Sequence, residues 1–156
     1  MKKFLNFIKE NWVFLLFVIP FVFICFCNKQ PDNDIWFLLN NGRYVFEHGI
    51  PYVDPFTIHE GLSFVMQQWL TALLFWILYH LFGYRSLLIY IYLISFLFMF
   101  LFYKLCYVVS NKKNISVIVS AIVVLLINEY IVLRPQVISY ILLILEVLLL
   151  ELYIKK

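Results

Sequence analysis

The sequence predicts an all-α, polytopic membrane bundle with four transmembrane helices and an outer loop that carries interfacial helices. Three observations predict this fold: an excess of apolar residues, apolar runs long enough to cross a bilayer, and an uneven distribution of Lys and Arg. Of the 156 residues, 65% are hydrophobic and 13% are charged, and the mean hydropathy is +0.93. Soluble domains are about 45–50% apolar and about 25% charged. This chain therefore has too little polar surface to cover itself in water.

The same composition excludes several other classes of protein. Four Gly and three Cys are too few for a collagen or a disulfide scaffold, and a net charge of +3 is too small for a nucleic-acid-binding domain. The apolar content is also too high for a disordered chain. We therefore expect the lipid bilayer, and no nucleic acid, as a partner.

Four of the apolar runs are predicted to cross the membrane, because a spanning helix needs about 20 apolar residues. They are residues 12–27, 86–109, 115–133 and 136–154. A fifth run, residues 69–82, holds only 14 residues and would reach about 21 Å, against a hydrocarbon core of about 30 Å. We expect it to lie in the outer interface, within a helix at about residues 67–82.

The positions of the basic residues favour this four-span topology, since Lys and Arg are retained on the cytoplasmic side. With a cytoplasmic N-terminus and four spans, eight of the 12 basic residues lie inside and four outside. With five spans, only five lie inside and seven outside. The sequence thus predicts a multi-pass cell-membrane protein with both termini cytoplasmic and residues 28–83 as an extracytoplasmic loop.

The loop at residues 28–83 concentrates the chemistry of the chain. It holds all four Gly, all three His, three of the four Trp and five of the nine acidic residues. Loops of this length usually carry function or are disordered, and this one is too aromatic for disorder. We therefore expect the functional residues here.

Within this loop, helical spacing predicts an interfacial helix at about residues 35–47. Gly49 should end it. Residues 56–58 could form a short strand, and Glu60 with Gly61 indicates a turn. The apolar face is expected to hold Ile35, Leu38, Leu39, Gly42, Val45 and Phe46, and the polar face Asn40, Asn41, Arg43 and Glu47.

Several motifs resemble the first outer loop of bacterial membrane glycosyltransferases of the C-type superfamily (GT-C), which are related to the protein O-mannosyltransferases. They are an Asp pair after the first span, Ile35-Trp36-x-Leu38, Gly42, His48-Gly49-Ile50-Pro51, Asp54-Pro55-Phe56-Thr57, Trp69-Leu70 and, further on, Arg134-Pro135-Gln136. The resemblance covers nearly the whole chain. The chain departs from the pattern of many relatives at two places. Phe37 stands where they have a His, and Gln67-Gln68 stands where they have His-Glu. Such enzymes are usually much longer, so the resemblance implies the N-terminal module of a GT-C enzyme.

The resemblance also implies an activity, which is sugar transfer from a polyprenyl-phosphate donor to an acceptor outside the cytoplasm. It implies a catalytic Asp in the first outer loop. Asp34 is the first candidate for this role and Asp32 is the second. Substrate contacts are implied for Asp54, Gln67, Gln68 and Gln136.

The chemistry of the transfer also requires cations at the site. An inverting transfer needs a carboxylate to take the acceptor proton and positive charge at the departing phosphate. Arg43, Arg85 and Arg134 are candidates for that charge, because guanidinium binds phosphate in bidentate fashion, although Arg85 could instead be an interfacial anchor.

Other interpretations of the same residues stay open. Asp34 could cap a helix, Asp54 could hold a turn and Arg134 could be a helix-end cation at the interface. No cofactor is implied, and a divalent metal has little support because the His and acidic residues lack the usual ligand spacing. Glu146, in the last span, is costly there and indicates a function or a polar partner, such as a further membrane helix. The alternative function is a non-enzymatic membrane subunit that binds a lipid phosphate or partner helices.

Overall fold

The protein is all-helical in the part that the structure describes. A computed structural model describes residue 12 and residues 33–155. Five α-helices occur in this part: α1 (Asp34–His48), α2 (Trp69–Phe82), α3 (Tyr84–Ser110), α4 (Lys113–Ile127) and α5 (Gln136–Ile154). A 3₁₀ turn, Asn128–Tyr130, follows α4 directly. The predicted span at residues 12–27 lies outside the described residues apart from residue 12.

Two of the described helices are long and apolar enough to cross a membrane. They are α3, with 27 residues, and α5, with 19. Only 33% of the most apolar window of α3 and 22% of that of α5 are buried inside the protein. A core helix of a soluble protein would bury most of such a window. The shorter apolar helices α2 and α4 have 14 and 15 residues.

The chain forms two compact units. Among the described residues, the loop unit comprises residues 33–90 and 133–135, and the bundle unit comprises residues 91–132 and 136–155. The loop unit thus holds α1, α2 and the first turns of α3. The bundle unit holds the rest of α3 together with α4 and α5.

In the loop unit, α1 packs against α2 with an apolar stripe at helical spacing. The stripe is formed by Ile35, Leu38, Leu39, Gly42 and Val45, which are buried as the periodicity predicts. Phe46 was expected on this side but is 63% exposed. Asn41 was expected on the polar face, yet it is only 1% exposed. The assignment was wrong because Asn41 follows Leu38 by three residues and precedes Val45 by four, which places it at the edge of the buried stripe.

Two glycines end the helices of the loop unit. Gly49 has φ 85° and its N–H bonds to Val45 O at 2.9 Å, which ends α1 as predicted. Gly83 has φ 71° and its N–H bonds to Tyr79 O at 2.8 Å, which ends α2. The Ser86 hydroxyl then donates to Leu78 O and Gly83 O at 2.8 and 2.7 Å, so the corner into α3 is closed by hydrogen bonds.

Residues 49–68 fold back on themselves without forming a strand. A single antiparallel bridge joins Val53 and Ser63, and the Phe64 N–H bonds to Tyr52 O at 2.9 Å. The expected strand at residues 56–58 is instead a series of bends, because the Asp54 carboxylate accepts the Phe56 N–H at 2.9 Å and tightens the chain into a turn. The turn predicted at Glu60 and Gly61 is present, with φ 78° at Gly61.

The bundle unit has an apolar interior, and a lysine after α5 bonds to the end of α3. Buried residues of the three helices include Met99, Val124 and Ile144. At the turn between α3 and α4, the Lys155 ammonium donates to the carbonyl oxygens of Val108 and Val109. These carbonyls belong to the last turn of α3, which has no helical donors of its own. A lysine near the end of α5 thus supplies the hydrogen bonds that α3 lacks.

We predict that Gly42→Ala destabilises the loop unit. A methyl group at Gly42 would overlap the carbonyl oxygen of Ala72 and lie 2.8 Å from Trp76 Cβ. Overpacking of this kind typically costs about 1–3 kcal/mol. Thermal unfolding of the purified protein in detergent should show a lower midpoint for Gly42→Ala. Asn40→Ala, on the exposed side of the same helix, is the control. Equal midpoints for the two variants would contradict the close approach of α1 and α2.

Candidate functional site

Asp34 and Arg134 meet in the loop unit although they are 100 residues apart in the chain. Arg134 Nη2 donates to Asp34 Oδ2 at 3.0 Å. Asp34 is the first residue of α1, and Arg134 lies in the short segment Leu133–Pro135 that precedes α5. The structure therefore brings together the carboxylate and one of the cations that the sequence singled out.

The segment that carries Arg134 is held by its neighbours. Leu133 is 3% exposed and anchors the segment in the loop unit. Pro135 comes directly before the first residue of α5, and its fixed φ suits the entry into a helix. These two residues restrict the backbone on both sides of Arg134. Its guanidinium can therefore point at the start of α1.

The Asp34–Arg134 ion pair is open to solvent. The Asp34 side chain is 63% exposed and that of Arg134 is 40% exposed. Asn33, at the N-cap of α1, makes no side-chain cap hydrogen bond. The Asp34 carboxylate stands in the first turn of α1, where a negative charge is favourable, and its oxygen accepts from Arg134. The interpretation of Asp34 as a helix cap was wrong, because Asn33 occupies the N-cap and Asp34 is the first residue of the helix.

Arg43 belongs to a different part of the surface. Its Nε donates to Glu47 Oε1 at 2.9 Å, in an exposed pair four residues apart on α1. Arg43 follows Asp34 by nine residues, which corresponds to about 180° around the helix and about 14 Å along it. The structure does not bring Arg43 to the Asp34–Arg134 pair.

The other candidate residues have local contacts or positions of their own. Asp54 holds a turn through its hydrogen bond to Phe56. Gln67 and Gln68 are exposed just before α2, and the Gln68 carbonyl accepts the Ala72 N–H at 3.0 Å. Gln136 is the exposed first residue of α5 and belongs to the bundle unit. Asp32, the second candidate for the base, lies outside the described residues.

Asn41 is a further candidate for a functional residue, although its expected place was the solvent face of α1. Its Oδ1 is buried, and none of the described residues donates a hydrogen bond to it. Asn41 follows Asp34 by seven residues, so the two lie on the same side of α1 about two turns apart. The seven-residue spacing was the signal that could have found it. An unpaired buried amide oxygen is costly and is ready to accept a donor.

Aromatic contacts hold residues 49–68 against α1. The Phe56 ring lies 6.2 Å from Phe37 and 5.7 Å from Tyr44, both edge to face, and Tyr44 stacks on His48 at 4.7 Å. Such pairs typically contribute about 0.5–1.5 kcal/mol each beyond the area they bury. Phe56, in the middle of the segment, therefore fixes it to the helix that begins with Asp34.

Metal ligands do not cluster in the described part of the chain. No group of three or more His, Cys, Asp or Glu side chains among residues 33–155 is placed to hold a metal ion. Arg134 is the cation that the structure puts in direct contact with Asp34.

A carboxylate and a guanidinium at this distance can do two things for a group transfer. The carboxylate can accept a proton from a hydroxyl, and the guanidinium can bind a phosphate oxygen.

The chain matches no family model, no curated protein and no solved structure. The chemistry of the site is therefore inferred from its own residues and geometry.

We predict that the Asp34–Arg134 pair contributes little to stability. Exposed ion pairs typically give about 0.2–1 kcal/mol in double-mutant cycles. A cycle of Asp34→Asn and Arg134→Gln, followed by thermal unfolding in detergent, isolates the pair from the other contacts of each side chain. The exposed Arg43–Glu47 pair is a matched control. A coupling above about 2 kcal/mol would show that the pair is mainly structural.

Proposed function

We propose that this protein is a membrane glycosyltransferase that transfers a sugar from a polyprenyl-phosphate donor to an acceptor outside the cytoplasm. The observation that carries this proposal is the 3.0 Å contact between Asp34 and Arg134. It joins the two groups that such a transfer requires, a proton acceptor and a cation for phosphate. Both side chains remain partly exposed, so a substrate can reach them.

In the proposed reaction, the Asp34 carboxylate takes the proton of the acceptor hydroxyl. The hydroxyl oxygen forms a bond to the anomeric carbon as the bond from that carbon to the phosphate oxygen breaks, which inverts the configuration. The polyprenyl phosphate leaves with the electron pair, and Arg134 stabilises its negative charge. A positioned general base typically contributes about 10²- to 10⁴-fold in rate.

The ion pair also gives the site an order of events. In the absence of substrate, the guanidinium of Arg134 neutralises Asp34. A donor phosphate carries one negative charge on two free oxygens and can bind a guanidinium in bidentate fashion, so it competes with the carboxylate for Arg134. Phosphate binding would then leave the Asp34 carboxylate available to an acceptor hydroxyl.

We further propose four membrane spans with both termini cytoplasmic and the loop unit outside. Helices α3 and α5 are long enough to cross. Helix α4 and the 3₁₀ turn that follows it together hold 18 residues, which rise about 28 Å, close to a hydrocarbon core of about 30 Å. Helix α2, with 14 residues, reaches about 21 Å and would lie at the outer surface.

Each unit, taken by itself, has apolar surface of the kind that lipid contacts. In the loop unit, Trp36 and Phe46 expose apolar aromatic rings of the kind that lie at a membrane interface. The bundle unit contains an apolar cavity of ≈ 340 Å³, lined by aromatic and aliphatic side chains that include Phe98, Tyr130 and Tyr140. An isoprenoid chain needs surroundings of this chemistry.

The topology predicts which residues a membrane-impermeant thiol reagent can reach. In a variant with Cys25, Cys27 and Cys106 replaced by Ser, we expect Ser63→Cys to react in intact cells. Asn114→Cys, in the first turn of α4, should react only after permeabilisation. Labelling of Asn114→Cys in intact cells would favour five spans, with α2 crossing the membrane.

The activity is tested with the full chain in liposomes that contain polyprenyl-phosphate sugars. We expect Asp34→Asn to lower the transfer rate by about 10²- to 10⁴-fold, because the amide cannot take the proton. Glu60→Gln, which changes an exposed carboxylate elsewhere in the loop unit, should leave the rate unchanged. An unchanged rate in Asp34→Asn would remove Asp34 from the mechanism. A protein that binds polyprenyl phosphate but transfers no sugar would favour the non-enzymatic subunit.

A further inference from the structure

Most of the cations of the bundle unit stand at the ends of its helices. Four Lys side chains, and no Arg or His, occur among the described residues of this unit. Lys112 lies in the turn between α3 and α4, Lys113 begins α4, and Lys155 directly follows α5. The fourth, Lys104, lies over the Phe100 ring, at 5.4 Å from its centre, one turn earlier in α3.

A contact between α5 and α3 brings three of these lysines together. The Lys155 ammonium donates to the carbonyl oxygens of Val108 and Val109, in the last turn of α3. Lys112 follows Val109 by three residues, so their Cα atoms are at most about 11 Å apart. Lys112, Lys113 and Lys155, all exposed, therefore form one surface, which we call the lysine patch.

Hydrogen bonds hold the turn that carries Lys112 and Lys113. The Ser116 hydroxyl donates to Lys112 O at 2.8 Å, and the Lys112 N–H donates to Ser110 Oγ at 3.2 Å. These bonds involve the backbone of Lys112 and leave its ammonium group to the solvent. Lys155 has three N–H donors and uses two of them on α3, so it can still donate to a further acceptor.

The lysine patch has an excess of positive charge. Within the described part of the bundle unit, the acidic residue next to it is Glu151, one turn before Lys155. Three ammonium groups against this one carboxylate leave two positive charges uncompensated. Glu146 lies nine residues before Lys155, which is about 13 Å along the helix, and Glu129 follows the far end of α4.

We propose that the lysine patch binds the headgroups of anionic phospholipids at the membrane surface. The patch lies where α3 and α5 end, and these are the two described helices long and apolar enough to cross a bilayer. A spanning helix that leaves the hydrocarbon core ends among the headgroups. Anionic headgroups complement the uncompensated positive charge, whereas zwitterionic ones do not. Each lysine near an anionic membrane surface typically strengthens binding by about 5-fold.

This inference rests on the proposed passage of α3 and α5 through the bilayer and not on sugar transfer. Its test measures which lipids surround the patch in liposomes of phosphatidylglycerol and phosphatidylcholine. The probe is a fluorophore on Asn114→Cys, beside Lys113, in a full chain with Cys25, Cys27 and Cys106 replaced by Ser. Phosphatidylglycerol with a nitroxide near the top of its acyl chain should quench this probe more than equally labelled phosphatidylcholine. Equal quenching by the two lipids would overturn the proposal.

Charge variants show whether the lipid preference comes from the patch. Lys112→Gln and Lys113→Gln should each lower the preference for phosphatidylglycerol by about 5-fold. Arg43→Gln, which removes an exposed cation from the loop unit, is the control and should leave the preference unchanged. A preference that persists in the Lys112→Gln/Lys113→Gln double variant, or that falls equally in Arg43→Gln, would show that the patch is not the binding surface.

Two further measurements use the opposite sign and the native lysines. Glu151→Gln should raise the preference, because it removes the carboxylate beside Lys155. For the native side chains, the preference should disappear at about 1 M salt, where the Debye length falls to about 3 Å. A preference that survives this salt, or that falls in Glu151→Gln, would contradict a charge-based site. Loss of sugar transfer with an intact lipid preference would count against the proposed function alone.

Discussion

The loop unit depends on the close approach of α1 to α2 at Gly42. The backbone of Ala72 occupies the space where any larger residue would place its Cβ. This contact lets Ile35 and Leu38 reach a buried position and determines which side of α1 faces α2. The rotation of α1 in turn places Asp34 towards Arg134 and Arg43 on the opposite side. A glycine in the helix therefore controls the geometry of a charged pair two turns away.

The Asp34–Arg134 pair connects the beginning of α1 with the segment that leads into α5. Its exposure to solvent keeps the Coulomb attraction small and leaves both groups accessible. A buried pair would be harder to open, because separating its charges would leave each one unpaired in a low dielectric. An exposed pair of this kind adds little to the stability of the fold.

Helices α3 and α5 bury only 33% and 22% of their most apolar windows, which is compatible with apolar surroundings. In such surroundings the few polar side chains stand out. Ser95 donates to Ile91 O at 2.7 Å in its own helix, and Lys155 donates to the last carbonyls of α3. Both groups thus have their hydrogen bonds within the described part of the chain. Glu146 differs from them in having its polar group exposed on α5.

Composition and periodicity alone determined that the chain is helical and apolar, where α1 and α5 lie, and that Gly49 ends α1. These features are local, since helical spacing and the left-handed preference of glycine act within a few residues. The sequence also marked Asp34 and Arg134 as candidates, on a resemblance and on their chemistry. Tertiary structure alone decided that they touch. This contact joins residues that are 100 positions apart in the chain, and no local pattern encodes it.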